Sequence, residues 1–286
     1  MSFFRILHRE KLRILKIVGV LLFFLILFKL DRDALVEHLY NANLPLILVS
    51  FPLLFFIYIA KTFRWHCLVV RGRKVQCTFF DSWKISLIGL FLGQITPGKI
   101  GEFGKVAYLK KAGATTKEAL FLVILDRMLD IIIVALLSVI GVGILFGAEW
   151  FSLALAVALI PCLVMQHFVP RIRSFLFGSM LLVSFAWTIV AWVIYFFWAI
   201  LLARSIGIQT DPLVLSAVFT VAGIISLIPI APSGLGTRDA ILIALLSPYG
   251  IPPERAVALA MLMFVSIILS SGLGGWYWMK EKGVAK

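Results

Sequence analysis

The stretch Gly93–Lys111 reads GQITPGKIGEFGKVAYLKK and interrupts a chain that is 62% hydrophobic. Pro97 cannot donate a backbone hydrogen bond, and Gly98 and Gly101 allow backbone conformations that other residues avoid. A helix that reaches this stretch is therefore predicted to stop near Pro97. A second helix is predicted to start a few residues later.

The composition on either side of this break is typical of an integral membrane protein. Only 14% of the 286 residues are charged, and several apolar runs reach the roughly 20 residues that cross a hydrocarbon layer about 30 Å thick. Only helices and closed barrels satisfy their backbone in lipid, and continuous apolar runs exclude the alternating pattern of a barrel. We therefore predict an all-α polytopic membrane protein.

The apolar runs predict about six full crossings and two interrupted regions. The crossings are expected at 14–30, 44–63, 118–146, 150–169, 178–203 and 254–279. The interrupted regions, 84–113 and 212–249, contain Pro and Gly near their middles, and each is expected to form a re-entrant hairpin. Residues 1–286 then form a single transmembrane domain.

With both interrupted regions treated as re-entrant, the basic residues segregate to one side of the membrane. Most of the 27 Lys and Arg residues lie on the side of both termini, among them Lys61, Arg64 and Lys105. The positive-inside rule makes this side cytoplasmic. We expect the chain in the cell membrane with both termini in the cytoplasm, and its first apolar run retained as a helix rather than cleaved as a signal.

The two interrupted regions also resemble each other. ITPGKIGE at 95–102 and IAPSGLGT at 230–237 share Ile, Pro and the last Gly at a constant offset of 135 residues. A Gly-containing turn and a long apolar helix follow each, which gives repeat halves of approximately 84–146 and 219–279. Three crossings separate the breaks, so the copies are predicted to be inverted, as in many secondary transporters. Chance similarity among common residues is the alternative.

This repeat predicts an anion site at the two breaks. A helix that starts within the membrane presents unpaired N–H groups and a partial positive charge, and both favour an anion. The first break adds Lys99 and Glu102, and the second contains Gly234, Gly236 and Arg238. Phosphate is the expected anion in a bilayer. The alternative for the two cations is that their side chains extend to the membrane interface.

A further group of charges lies in LDRMLD at 125–130, within a predicted crossing. Asp126 and Asp130 share a helix face, and Arg127 lies three residues from Asp130 and can pair with it. Together with Lys99, Glu102, Arg238 and Asp239 they make seven charges near mid-membrane. Each costs about 2.5–3.5 kcal/mol if isolated there, so we expect them around one polar cavity, where the acidic ones balance charge or bind protons. A structural ion-pair clamp is the alternative for the 125–130 group.

Four motifs resemble, in order, those of the flippase-like membrane family that includes the transmembrane portion of lysylphosphatidylglycerol synthase. They are FRW at 63–65, GQITPGKIGE at 93–102, LDRMLD at 125–130 and IPIAPSGLGTRDA at 228–240. The resemblance covers essentially the whole chain. The residues at family positions are Arg64, Pro97, Gly98, Gly101, Glu102, Asp126, Arg127, Pro232, Gly234, Gly236 and Arg238. Relatives often carry Glu at the position of Asp239.

The resemblance implies lipid translocation without an attached aminoacyl-transferase domain. Because relatives are associated with hopanoid or polyprenyl-glycan pathways, it does not name the lipid. We therefore expect a flippase or scramblase for an anionic or phosphate-bearing membrane lipid, with the cations and glycines of both breaks, Arg127 and Arg64 contacting the headgroup. Anchoring at the membrane interface is the alternative for Arg64.

Two other functions remain open at this point. One is an integral-membrane glycosyltransferase that uses polyprenyl phosphate, although we find no carboxylate pair for a nucleotide sugar on the predicted cytoplasmic side. The other is a non-transporting partner of a lipid-modifying enzyme. No cofactor, metal or catalytic motif is expected, because the three cysteines and four histidines lack metal-binding spacing. The net charge of +13 follows the membrane pattern rather than indicating nucleic acid.

Overall fold

The computed structural model describes residues 21–71, 77–96, 98–168, 179–227, 234 and 236–284, and the regular elements within them are all helical. Pro97, Pro232 and the first part of the predicted crossing 14–30 lie outside the described residues. Residues 21–29 of that crossing are helical.

The helices follow one another along the chain with short connections. They are α1 (Arg32–Tyr40), α2 (Leu44–Arg71), α3 (Phe79–Gln94), α4 (Lys105–Lys111), α5 (Thr116–Phe146), α6 (Ala148–Phe168), α7 (Ser179–Ser205), α8 (Pro212–Ile225), α9 (Thr237–Leu246) and α10 (Pro253–Val284). Short 3-10 turns, Ile100–Gly104 and Ser247–Tyr249, precede α4 and follow α9.

Among the described residues, four helices are long and apolar enough to cross a membrane. These spans are Leu44–Val70, Thr116–Phe146, Leu181–Ser205 and Pro253–Glu281. They account for four of the six predicted crossings. At the predicted crossing 150–169 the structure has α6, a helix of 21 residues, and its described apolar stretch includes Ala148–Val157.

The ends of the helices sort to two ends of the bundle. Trp65, Leu109 and Leu122 pack together, which brings the end of α2, the end of α4 and the start of α5 to what we call the Trp65 end. At the opposite end, the Asn43 end, the backbone N–H of Asn43 donates to the carbonyl of Ser205 at the end of α7 over 2.7 Å. The helices α2 and α5 therefore run in opposite directions.

The first interrupted region starts and returns at the Trp65 end and turns back at Gly98 and Lys99. Gly93, near the end of α3, lies against the side chain of Glu102 in the returning segment. Ile85 near the start of α3 and Leu109 near the end of α4 both belong to the apolar cluster of the Trp65 end. The hairpin of α3 and α4, which we call the first hairpin, thus starts and returns at the same end of the bundle.

The second interrupted region starts and returns at the Asn43 end. Its helices α8 and α9 form what we call the second hairpin. The loop before α8 is tied to the end of α7, because Arg204 donates to the carbonyls of Ile208 and Thr210 at 3.1 and 3.0 Å. After α9, α10 begins at Pro253, and Glu254 accepts a bond from the backbone of Asp31 at the same end (3.4 Å).

Each hairpin packs against the long helix that follows the other hairpin. The helix α3 packs against α10, and α8 packs against α5. A glycine lies at each contact: Gly274 of α10 is against the backbone of Leu87, and Gly141 of α5 is against Thr220. Small residues at such contacts let helix backbones approach closely where lipid supplies no hydrophobic drive for association.

Two helix boundaries follow from local sequence. Thr115 caps α5 in a reciprocal pair with Glu118, which fixes its start close to the predicted residue 118. The helix α2, in contrast, continues to Arg71 and passes the predicted end at residue 63. The prediction was wrong there because it placed Lys61 and Arg64 at the membrane surface, whereas Arg64 is buried inside the bundle.

Candidate functional site

The two hairpins meet around one cavity of about 200 Å³. Gly98 and Lys99 line it from the first hairpin, and Gly234 and Arg238 line it from the second. Because the hairpins start from opposite ends of the bundle, the cavity lies between their tips. We call it the central cavity.

The rest of the wall contains many aliphatic side chains, together with a charged part and an aromatic part. The charged part and a neighbouring amide come from α2, α3 and α5, and they are Lys61, Gln94, Arg127 and Asp130. The large aromatic side chains come mainly from α7, and they are Tyr58, Trp192, Tyr195, Trp198 and Phe219. A charged side next to an aromatic side suits a ligand with an ionic head and an apolar body.

The backbone of the first break is held in an unusual conformation. Lys99 has φ 57°, and within the described part of the chain no other residue except glycine has a positive φ. The hydroxyl of Thr96 accepts from the N–H of Gly101 and donates to the carbonyl of Leu92, each at 2.7 Å. A Cβ at Gly101 would lie 2.1 Å from that carbonyl oxygen, so only glycine fits.

The second break is held by its own side chains. Gly234 and Gly236 have φ 73° and 78°, and the carboxylate of Asp239 accepts from the N–H of Gly236. The N–H of Arg238 donates to the carbonyl of Gly234 at 2.7 Å, and the hydroxyl of Thr237 donates to the same oxygen at 3.1 Å. The start of α9 is thus capped from within.

This capping corrects one part of the predicted anion site. The sequence predicts helix starts with unpaired N–H groups, but those of Gly101, Glu102, Gly236 and Arg238 have partners within the protein. The backbone N–H of Glu102 donates to the carbonyl of Lys99, and this bond gives the turn its 3-10 form. Side-chain cations, rather than these four amides, are therefore the groups available to an anion.

A buried network of charges lies beside the central cavity. The guanidinium of Arg64 contacts Asp126 at 2.8 Å and Asp130 at 2.7 Å. Lys105 reaches the other oxygen of Asp126 at 3.0 Å, and Lys61 reaches Asp130 at 3.1 Å. The network therefore joins α2, α5 and the first hairpin.

The partner of Arg127 differs from the predicted one. Arg127 pairs with Glu102 at 3.4 Å rather than with Asp130. Asp130 is turned toward α2, where two cations already hold it, while Arg127 points to the first hairpin. Helix spacing permits both pairings, and the packing of neighbouring helices decides between them.

The cations around the cavity outnumber the carboxylates. There are six cations, Lys61, Arg64, Lys99, Lys105, Arg127 and Arg238, and four carboxylates, Glu102, Asp126, Asp130 and Asp239. Within the described residues neither Lys99 nor Arg238 forms a salt bridge. Arg238 donates one bond to the carbonyl of Ala260 at 2.8 Å, and its buried Nε has no partner among the described residues.

Comparison with known proteins identifies the family of the chain. Residues 13–274 match the family described as the lysylphosphatidylglycerol synthase TM region. The chain belongs to this family. It is 25% identical to a UPF0104 membrane protein of Methanocaldococcus jannaschii, over 92% of this chain and 93% of the relative. A UPF0104 membrane protein of Methanothermobacter thermautotrophicus is 23% identical, over 93% and 94% of the two chains.

In this member of the lysylphosphatidylglycerol synthase TM family, the predicted site residues fall into three groups. Gly98, Lys99, Arg127, Asp130, Gly234 and Arg238 line the central cavity. Arg64, Glu102 and Asp126 stand behind it in ion pairs. Gly101, Gly236 and Asp239 hold the backbone of the two breaks.

Sequence reasoning missed two members of the charge network. Lys61 and Lys105 were assigned to the cytoplasmic surface, but Lys105 is only 3% exposed and its ammonium lies 4.7 Å from the centre of the Trp65 ring. The spacing of the residues could have revealed them. Lys61 and Arg64 are three residues apart and share one face of α2, and Asp126 and Asp130 are four residues apart and share one face of α5, so the two pairs can face each other. Lys105 is likewise three residues from Glu102, a spacing that places both residues on one side of a helical segment.

Proposed function

We propose that the protein moves a lipid with an anionic, phosphate-bearing headgroup across the cell membrane through the central cavity. The observation that carries this proposal is that Lys99 and Arg238, which come from opposite hairpins, line the same cavity without a carboxylate partner among the described residues. The headgroup supplies the missing negative charge. The acyl or prenyl part stays in lipid.

The excess of cations around the cavity favours binding of an anion. A charge at the centre of a bilayer costs about 2.5–3.5 kcal/mol on insertion scales, and six cations face four carboxylates here. A phosphomonoester carries about −1.5 to −2 charge at pH 7 and presents several strong acceptor oxygens. One such group offsets the excess. Lys99, Arg127 and Arg238 replace water around its oxygens.

The arrangement of the hairpins supports alternating access. The two hairpins approach the cavity from opposite ends, and each packs against the long helix that follows the other. Rocking of one helix unit against the other opens the cavity first to one side and then to the other, as in transporters with inverted repeats. On this proposal residues 84–146 and 219–279 are the two repeat units, and each hairpin is re-entrant.

We also propose an orientation. Lysines of α3, α4, the start of α5 and the end of α10 lie at the Trp65 end, among them Lys84, Lys111 and Lys117. The positive-inside rule favours a cytoplasmic position for this end. Both termini then face the cytoplasm.

Transport in proteoliposomes tests the proposal. The purified protein is reconstituted with trace fluorescent phosphatidylglycerol or polyprenyl phosphate, and bleaching by an impermeant reductant reports headgroup movement. Wild type is expected to move at least one of them, and Lys99→Gln and Arg238→Gln are expected to slow it at least tenfold. Arg32→Gln, at an exposed residue of α1, is the matched control.

The same preparation separates the alternatives. Transfer of sugar from labelled nucleotide sugars to polyprenyl phosphate would indicate a glycosyltransferase. Failure to move either lipid, with cellular function intact in Arg127→Gln and Arg238→Gln cells, would favour a non-transporting partner of a lipid-modifying enzyme. The proposal requires neither a cofactor nor a catalytic step.

A further inference from the structure

A second cavity opens at the Trp65 end, apart from the central cavity. Its volume is about 650 Å³. It lies where the start of α3, the end of α4 and the end of α10 meet, and the two cavities share no lining residue. We call it the lysine cleft, because Lys84, Lys111 and Lys280 line it, each from a different helix.

Among the described residues, several hydrogen-bond donors of the cleft have no partner. Tyr108 and Tyr277 line it together with the three lysines. Within the described part of the chain, neither the two phenol groups nor the three ammonium groups form a hydrogen bond or a salt bridge. The ammonium groups lie over aromatic rings, and that of Lys111 is 5.7 Å from the centre of the Tyr108 ring. Those of Lys84 and Lys280 lie 4.5 and 5.2 Å from the ring centres of Phe80 and Trp276.

Two carboxylates also line the cleft, but one of them is already engaged. Asp81 caps α3 and accepts from the hydroxyl of Thr78 at 2.6 Å and from its backbone N–H at 3.2 Å. These bonds, with the charge of Lys84, keep the pKa of Asp81 below its usual value. Glu281 is the other carboxylate. Three lysines therefore face two carboxylates, one of which is occupied by the helix cap.

We propose that the lysine cleft binds the phosphate group of an anion at the membrane surface. Three ammonium groups and two phenols from three helices can donate to several oxygens of one phosphate, and charge-assisted bonds of this kind are the strong ones. The chemistry is shared by an anionic lipid headgroup and a soluble phosphate compound. The site does not depend on the transport proposal, because it uses none of the central-cavity residues.

Binding at this cleft has a structural consequence. Lys84 and Lys111 belong to the two arms of the first hairpin, and Lys280 belongs to the helix that packs against its first arm. A phosphate that contacts all three lysines links the base of the first hairpin to α10. Occupancy therefore stabilises the folded protein, since a ligand that binds only the native state raises its stability.

The test compares a cleft variant with a matched surface variant. Lys111→Gln/Lys280→Gln removes two cleft cations, and Lys110→Gln/Lys117→Gln removes two exposed lysines of α4 and α5 that do not line the cleft. The lipid arm measures the motionally restricted fraction of spin-labelled phosphatidylglycerol in phosphatidylcholine vesicles. The soluble arm measures the shift in unfolding midpoint with glycerol 3-phosphate in phosphatidylcholine nanodiscs.

A charge-assisted hydrogen bond contributes roughly tenfold in affinity, so the cleft variant is expected to bind about 100-fold more weakly, whereas the loss of two lysines near an anionic surface alone weakens binding about 25-fold. Loss in the lipid arm alone identifies a headgroup as the ligand, and loss in the soluble arm alone identifies a free phosphate compound. Either loss must be larger than in the surface variant. Equal binding by wild type and both variants in both arms, or equal losses in the two variants, would overturn the proposal.

Discussion

The guanidinium of Arg64 on α2 lies 2.8 Å from the carboxylate of Asp126 on α5, and both side chains are at least 96% buried. Asp130 binds the same guanidinium at 2.7 Å. The planar fork of arginine can hold two carboxylates at once, which a lysine ammonium does with poorer geometry. The pair joins two membrane-crossing helices next to the central cavity.

Replacing Arg64 is expected to destabilise the protein strongly. Arg64→Met leaves Asp126 and Asp130 with Lys105 and Lys61 as their remaining ion-pair partners among the described residues, and breaking a buried pair from one side costs about 3–5 kcal/mol. The measurement is the thermal unfolding midpoint in detergent. Arg32→Met, at an exposed arginine, should leave the midpoint unchanged.

A double-mutant cycle distinguishes this pairing from a general effect of burial. Arg64→Met combined with Asp126→Leu removes both partners, so its cost should fall below the sum of the two single changes by about 0.5–3 kcal/mol. Strictly additive costs would mean that the contact between the two residues contributes nothing to stability.

Two substitutions at Lys99 are expected to change stability and transport to different extents. Its backbone is left-handed, with φ 57°, a conformation that costs a residue with a Cβ about 1–2 kcal/mol. Lys99→Gly relieves this strain and removes the ammonium group, so the unfolding midpoint should rise while lipid transport falls. Lys99→Gln removes the unpaired ammonium but keeps the left-handed backbone, so it should lose transport and raise the unfolding midpoint less than Lys99→Gly does. Wild-type transport by Lys99→Gly would exclude the ammonium from the pathway.

The long helices were the part of the fold most accessible from the sequence. The crossing predicted at 118–146 is Thr116–Phe146 in the structure, and the one predicted at 178–203 is Ser179–Ser205. Both are continuous apolar runs that lipid and backbone hydrogen bonding force into helices. The breaks were also accessible, because glycine at positive φ leaves a local signature at residues 98, 234 and 236.

The partners of the buried charges were not accessible from the sequence. Spacing within α5 allows Arg127 to pair with Asp130, but Glu102 of the first hairpin is its partner. That choice depends on how α5 packs against Glu102, which lies 25 residues earlier in the chain. Hydropathy also places Lys105 at the surface, because a single-helix measure cannot detect the carboxylate of Asp126 that another helix supplies.

Asp239 is expected to support transport through the backbone of the second break. Its carboxylate accepts from the N–H of Gly236, and Asp239→Ala leaves that buried donor without this partner, which should cost about 1–3 kcal/mol. Asp239→Asn keeps an acceptor oxygen and should cost less. Asp211→Ala removes the cap of α8 at the Asn43 end and provides the control. Both alanine variants should lower the unfolding midpoint, and only Asp239→Ala should also slow transport.

Two glycines of α10, two residues apart, test the packing of each hairpin against the opposite long helix. A Cβ at Gly274 would lie 2.1 Å from the carbonyl oxygen of Leu87 on α3, whereas a Cβ at Gly272 would meet nothing within 4 Å. Gly274→Ala should therefore force α3 and α10 apart at a cost of about 1–3 kcal/mol. Gly272→Ala should be neutral or stabilising by up to about 1 kcal/mol, because alanine favours a helix. Unfolding midpoints of the two variants measure the difference. Equal midpoints would show that α3 and α10 do not touch at Gly274, and the paired arrangement of hairpins and long helices would lose its support.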